Sequence, residues 1–383
     1  MEYTTIGESC SVVSGGTPSR SKTEYWRNGT IPWIKIGNIK SKYVNEYDEL
    51  ITEQGLNNSS AKLLKKGTIL YTIFATLGEV GILDTEACTN QAIAGININD
   101  PRITTDYLYY YLKSKKDYVN NIGRGVAQNN INLTALKKFE IPLINVDKQL
   151  YIVEVLEKVE RLIGLKKKEI DDLDLLIKAR FVEMFGDVQH EGKYKGIRLR
   201  ELCTTMSGGT PSKKFPKYYD GDIPWISTVS LGPNHIDGST AKGYITKEAI
   251  DKSATKLIPA DNILFGTRVG VGKSSLNDVD ICTNQDIVAI IGIDENRFRR
   301  LFIKHVLDAY QPYYDSIKKG ATIVGITGDD LKNTLIPDAP IELQMEYETF
   351  VEQVDKSKLA VQQSLEKTQL LFDSLMQEYF GEN

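Results

Sequence analysis

The chain has little of what usually announces chemistry. Its 383 residues hold three histidines and four cysteines. His190, His235 and His305 fit no metal-ligand spacing, and there is no CxxC. Cys10, Cys88, Cys203 and Cys282 therefore read as small buried thiols of a reducing compartment rather than disulfides or zinc ligands. No stretch approaches the roughly 18 apolar residues of a membrane span. The opening MEYTTIGESC has neither a basic nor an apolar leader region, so no secretion signal is expected and the expected location is cytoplasmic. Catalytic signatures are missing as well. There is no Asp-Pro-Pro-Tyr or Asn-Pro-Pro-Tyr run, no helicase phosphate loop, no His-Asp-Ser order and no framed nuclease core.

What the chain does have is a duplication. SGGTPS at 14–19 returns at 207–212, IPWI at 31–34 at 223–226, and CTNQ at 88–91 at 282–285. Residues 68–91 align without a gap onto 262–285. Further on, Gly125 matches Gly320, Leu136 matches Leu331, and Ile141-Pro142 matches Ile336-Pro337. A period near half the chain is too long for a solenoid or propeller and means two homologous domains in tandem. Apolar anchors repeat while polar stretches diverge, chiefly 35–65 against 227–259. Two domains that share a scaffold and read different things would show this pattern.

Net charge is −4 overall but unevenly placed. Residues 1–145 carry 16 basic against 14 acidic side chains, 146–185 carry 8 against 9, 186–340 carry 20 against 19, and 341–383 carry 3 against 9. The acidity sits in the last segment, so the two ends of the repeat present different charge to whatever docks there. Nucleic acid is not excluded, because phosphate contact needs a local positive face rather than a positive total.

Residues 148–185 and 343–380 contain no proline and carry apolar seams at three- and four-residue spacing. The first seam is Val155, Val159, Leu162, Ile170, Leu173 and Ile177; the second is Phe350, Val354, Val361, Leu365, Phe372, Leu375 and Tyr379. Lys166 and Arg180 stand where the second seam has Val361 and Leu375, so the seams look complementary and predict an antiparallel coiled coil. A helix of about 38 residues spans roughly 57 Å. The expected fold is α+β: two tandem pseudo-symmetric mixed domains (1–145 and 187–340) joined by two long helices (146–186 and 341–383).

Within each mixed domain a short apolar run stops at Ser-Gly-Gly-Thr-Pro, a turn sequence. An aromatic and basic loop follows, with Arg20, Lys22, Tyr25, Trp26 and Arg27 in one half and Lys213, Lys214, Lys217, Tyr218 and Tyr219 in the other. Runs 68–74, 92–98, 262–265 and 286–293 are strand-like, and 107–112 and 298–307 are helical. GVGKS at 270–274 invites a phosphate-loop reading. That pattern wants glycine at 267, which is Thr267, and the aligned position in the first half is Glu79. Lys273 is therefore read as a surface or phosphate-contacting lysine. The Gly-rich loops 123–132 and 318–327 fit either solvated turns or nucleic-acid readout, and their differing polar content favours readout.

The doubled order of SGGTPS, Trp, IPWI, CTNQ, Ile-Pro and a helix closing on Phe-Gly-Asp (185–187) or Phe-Gly-Glu (380–382) resembles the specificity subunit of type I restriction–modification systems, over essentially the whole chain. That resemblance implies two target recognition domains, each reading one half of a bipartite double-stranded DNA target. It implies helices that set the spacing and dock methyltransferase subunits, typically two, with two restriction subunits completing the endonuclease. S-adenosylmethionine, Mg and ATP would then bind those partners and the chain itself would be non-catalytic. Candidate DNA contacts are Arg20, Lys22, Lys35, Asn38, Lys40, Arg124, Gln128 and Asn129 in the first half. In the second they are Ser227, Thr228, Arg268, Lys273, Lys318 and Lys319, with Lys213, Lys214 and Lys217. Trp33 and Trp225 are assigned to the core. The competing readings are a coiled-coil scaffold whose domains bind protein or glycan, and a phosphate-loop ATPase.

Overall fold

A computed structural model describes residues 2–123, 130–190, 192–320 and 324–381. Two compact units emerge, one formed by Met1–Lys167 with Gln363–Asn383, the other by Lys168–Gln362. Both long helices are continuous, Val146–Phe185 and Ile341–Phe380, and each contributes to both units.

The duplication is topological as well as sequential. In the first unit a five-stranded sheet runs in the order Cys10–Ser14, Ile93–Ile98, Ile69–Thr72, Val80–Leu83, Tyr43–Val44. The second unit repeats it as Thr204–Ser207, Ile287–Ile291, Asn262–Gly266, Ser274–Asn277, His235–Ile236. A smaller sheet in each unit is built on the IPWI strand, which pairs in parallel with the CTNQ strand through Trp33↔Cys88 and Trp225↔Cys282. The second unit adds Leu257–Ile258 to that sheet, where the first has only the bridge Leu64↔Ala87. Central strands such as Ile69–Thr72 are buried on both faces, which explains their unbroken apolar and β-branched content.

One helix in each unit covers the large sheet: Thr105–Ser114 in the first, Arg300–Ala309 in the second. Thr105–Ser114 buries Tyr107, Leu108, Tyr110, Tyr111 and Leu112. On its other side the first long helix presents Ile152, Leu156, Val159 and Ile163, and the second long helix adds Phe372, Met376 and Phe380 to the same core. The second unit gathers Phe181 and Phe185 against Phe302 and Tyr347, with Phe185 and Phe302 ring centroids 4.6 Å apart. Gly186, at φ 80°, stops the first long helix, and its N–H donates back to Val182 O.

Within each unit the two long helices pack antiparallel. Lys166 Nζ donates to Ser364 Oγ at 2.8 Å in the first unit. In the second, Asp174 meets Lys358 at 2.5 Å and Arg180 meets Glu346 at 2.8 Å, so the chain numbers run in opposite directions. Leu162 is the one residue of the expected seams that is exposed, but Val155, Phe350, Leu375 and Tyr379 are only half-buried, and Val351, Met376 and Phe380 take the buried positions beside them. In the first long helix the buried stripe runs through Ile152, Leu156, Val159 and Ile163 instead. A helix turns 100° per residue, so packing against the sheet-covering helix as well as the partner helix draws the buried face one position round. Among the described residues no helix is long and apolar enough to cross a membrane. All four cysteines are unpaired, with Cys203 partly exposed and the others buried.

Replacing fully buried Phe185 with alanine should cost about 3–5 kcal/mol, whereas Leu162→Ala should stay within about 0.5 kcal/mol. Denaturant midpoints of the two variants check the placement of the seam.

Candidate nucleic-acid interface

The shared hexapeptide and the CTNQ strand hold each other. Trp33 Nε1 donates to Gly16 O at 2.9 Å, and Trp225 Nε1 to Gly209 O at 3.1 Å. Thr17 donates to Gln91 and Thr210 to Gln285. A Cβ on Gly15 or Gly208 would collide with the Thr89–Asn90 or Thr283–Asn284 segment, which explains why glycine recurs there. SGGTPS is thus a locked turn that aims the following basic loop. Trp33 and Trp225 are both buried.

In the first unit the candidate contacts converge on carboxylates. Arg20 stacks on Trp26 with its guanidinium 3.7 Å from the ring centroid and pairs with Glu49 at 2.6 Å. Lys35 reaches Glu49 at 3.0 Å and Asp48 at 3.3 Å. Asn38 is buried; its Oδ1 accepts from Lys35 N, and its Nδ2 donates to Asp48. Lys40 pairs with Glu46 at 3.2 Å. Burial opposes the charge on Glu49, but Lys35 and Arg20 outweigh it and keep its pKa below the ordinary value. Lys22 stands apart, donating to Tyr25 OH. Arg124, Gln128 and Asn129 lie outside the described residues.

The second unit leaves more positive charge open. Lys213 and Lys214 are exposed, and no carboxylate pairs with them among the described residues. Lys217 is held by Glu248, whose pKa Lys217 and Lys252 pull down to about 2. Arg268 lies 3.5 Å from Asp286, and Lys318 pairs with Asp315. Thr228 is buried and Ser227 half-buried. Two loops meet here. Ile326 N donates to Thr267 O at 2.8 Å, and Lys319 and Gly325 exchange backbone hydrogen bonds. This places Gly325 and Ile326, with Lys319 paired to Gly325, beside the hairpin tip carrying Arg268 and Lys273. The first unit repeats the arrangement, with Ile131 N donating to Ile73 O at 3.0 Å. Lys273 sits between two antiparallel strands, Asn262–Gly266 and Ser274–Asn277, with Gly270 and Gly272 at positive φ. A phosphate loop leads from strand into helix, so this hairpin is not one.

A buried polar cluster in the second unit was not anticipated from sequence. It borders a cavity of about 1140 Å³. Asn234 Nδ2 donates to Asp355 at 2.8 Å, so its Oδ1 accepts from Lys304 Nζ and from His305 Nε2, each at 2.8 Å. His305 Nδ1 then accepts from Tyr347 OH at 2.5 Å. Desolvation, then Lys304 and His235, push the His305 pKa well below 6.5 and keep the ring neutral. Lys304 stays paired with Asp308 at 2.7 Å. The signal available in sequence was weak, since none of these residues recurs in the first half.

Comparison with known proteins follows the same division. The family model for the type I restriction modification DNA specificity domain matches residues 1–175 and again 191–370. The MjaIX type I restriction enzyme specificity subunit of Methanocaldococcus jannaschii is 26% identical, covering 98% of this chain and 91% of its own length. The EcoR124I/EcoR124II specificity subunit of Escherichia coli is 29% identical over 42% of this chain and 41% of its own. Among solved structures, a chain from a study of type I R-M complex assembly and conformational transition superposes with TM-score 0.65 at 18% identity, covering 99% of this chain and 97% of that one. The S subunit from M. genitalium gives TM-score 0.54 at 16% identity, covering 100% and 96%.

His305 generates a pH prediction. Its folded pKa lies below 6.5, so the unfolded chain binds the proton first as pH falls. Stability contributed at neutral pH should be lost progressively below about pH 6.5. Denaturant midpoints at pH 7.5 and 5.5 should differ in the native chain, and by less in His305→Gln.

Proposed function

The chain belongs to the type I restriction–modification DNA specificity family, and from that premise we propose that it is the non-catalytic, sequence-reading subunit of such a complex, acting in the cytoplasm. Each unit's mixed domain reads one half of a split double-stranded DNA target, and the long helices set the gap and dock two methyltransferase subunits. Two restriction subunits join that assembly. S-adenosylmethionine, magnesium and ATP belong to those partners. On this reading 1–145 and 187–340 are the recognition domains, and 146–186 and 341–383 the spacers.

The observation that carries the proposal is the recurrence of one strand order in both units under unlike polar loops. A common frame with divergent loops suits two readers of different base sequences. The pairing of Arg20, Lys35 and Lys40 with Glu46, Asp48 and Glu49 supports a shaped polar surface in the first domain, where the basic side chains can exchange a carboxylate partner for phosphate. The exposed Lys213 and Lys214, which no carboxylate pairs with among the described residues, support direct phosphate contact in the second.

Selection from a random duplex library by the chain with its methyltransferase partners should enrich a split sequence; no enrichment would remove the reading, and capture of protein or glycan instead would favour a scaffold. Lys213→Ala with Lys214→Ala should weaken binding to all sequences alike and shallow the salt dependence by about 0.9 in log–log slope per lost phosphate contact. Titrations at several salt concentrations measure both.

A further inference from the structure

Gln149 and Gln344 occupy equivalent places near the start of the two long helices, and both are fully buried. Each spends its amide on the backbone of the domain beside it. Gln149 Oε1 accepts from Thr104 N at 2.9 Å, and its Nε2 donates to Arg102 O at 2.6 Å and Ile144 O at 2.9 Å. Gln344 Oε1 accepts from Arg299 N at 2.9 Å, and its Nε2 donates to Arg297 O at 3.2 Å and Ala339 O at 2.8 Å. The same three segments are tied in both units: the strand exit, the approach to the sheet-covering helix, and the long helix itself.

Apolar packing is non-directional, so the core between a long helix and its domain resists separation better than it resists small rotations. Hydrogen bonds to fixed backbone groups are directional and resist rotation. A second layer of polar contacts lies further along each helix. In the first unit Lys42 joins Glu157 at 2.5 Å and Asp106 at 2.6 Å, while Tyr110 OH donates to Glu160 at 2.6 Å. In the second, Arg299 joins Glu348 at 2.5 Å, and Asn234 holds Asp355. Burial opposes the charge on Lys42, but the Asp106 and Glu157 carboxylates outweigh it and raise its pKa, so the contact is an ion pair at neutral pH.

We propose that Gln149 and Gln344 are positioning residues that fix the angle between each recognition domain and its long helix, and thereby the gap between half-sites that the chain accepts. This rests on the DNA-reading proposal. Successive base pairs rise about 3.4 Å, so a few ångströms of play at either junction would admit a neighbouring gap. Neither glutamine touches the target; each acts through the domain it orients.

The test uses the full chain with its methyltransferase subunits and duplex libraries in which two random windows are separated by gaps varied one base pair at a time. The native chain should enrich one gap. Gln149→Met and Gln344→Met keep the length and packing of the side chain but remove its hydrogen bonds. Each should enrich the same bases in both windows while its preference for that gap over its neighbours falls about tenfold. Glu157→Gln, at a partly exposed position, weakens the Lys42 contact without emptying the core and should lower gap preference about threefold even if the methionine variants fold poorly. Unchanged gap preference in folded methionine variants, or in Glu157→Gln should they not fold, overturns the inference, as does loss of base preference in place of gap preference. Failure of the native chain to enrich any split sequence removes the DNA-reading proposal and this inference with it.

Discussion

Each long helix has to satisfy two apolar surfaces at once, a mixed domain on one side and the other long helix on the next. In the first unit Ile152, Leu156, Val159 and Ile163 meet the sheet-covering helix and the Phe372, Met376 and Phe380 stripe in one continuous core. In the second, Phe181 and Phe185 do the same between Phe302 and Tyr347. A helix with two partners has a wider buried arc than a two-stranded seam. Leu162 is displaced to the surface for this reason, and the domains cannot be separated from the helices without opening their own cores.

That constraint also organises the polar groups. Where the helix leaves its domain, the backbone of three segments converges in a space closed to water, and unpaired amide or carbonyl groups there would be costly. Gln149 and Gln344 supply one acceptor and two donors to those groups. Farther from the junction, where solvent reaches, carboxylates on the helices take over with lysine and arginine partners. The two units solve one geometric problem with identical amides at the buried end and different charges at the wetter end.

Much of the frame was legible in the sequence because it was written twice. The repeated SGGTPS marked a turn, the repeated IPWI and CTNQ marked the duplication, and the proline-free stretches marked the helices, whereas the parallel pairing of IPWI with CTNQ came only from the fold. What escaped was information carried by a single copy or by residues remote in sequence. Nothing local in Arg20 or Lys35 reveals that Glu49 lies within reach, because the strand Glu49–Ile51 that delivers it sits in the stretch where the halves diverge. The cluster of Asn234, Lys304 and His305 was invisible for the same reason. Gln149 and Gln344 were legible in principle, being polar residues at matched positions in otherwise amphipathic helices.

The first unit is discontinuous: it is closed by Gln363–Asn383, while the second, Lys168–Gln362, is a single uninterrupted stretch. A chain emerging from the ribosome therefore makes the second unit available for closure before the first, although the first is synthesised earlier. Until Phe372, Met376 and Phe380 arrive, the first domain keeps an apolar face of its core uncovered. Order of synthesis and order of completion are reversed, and the interval between them is when the newborn chain is most exposed to wrong partners.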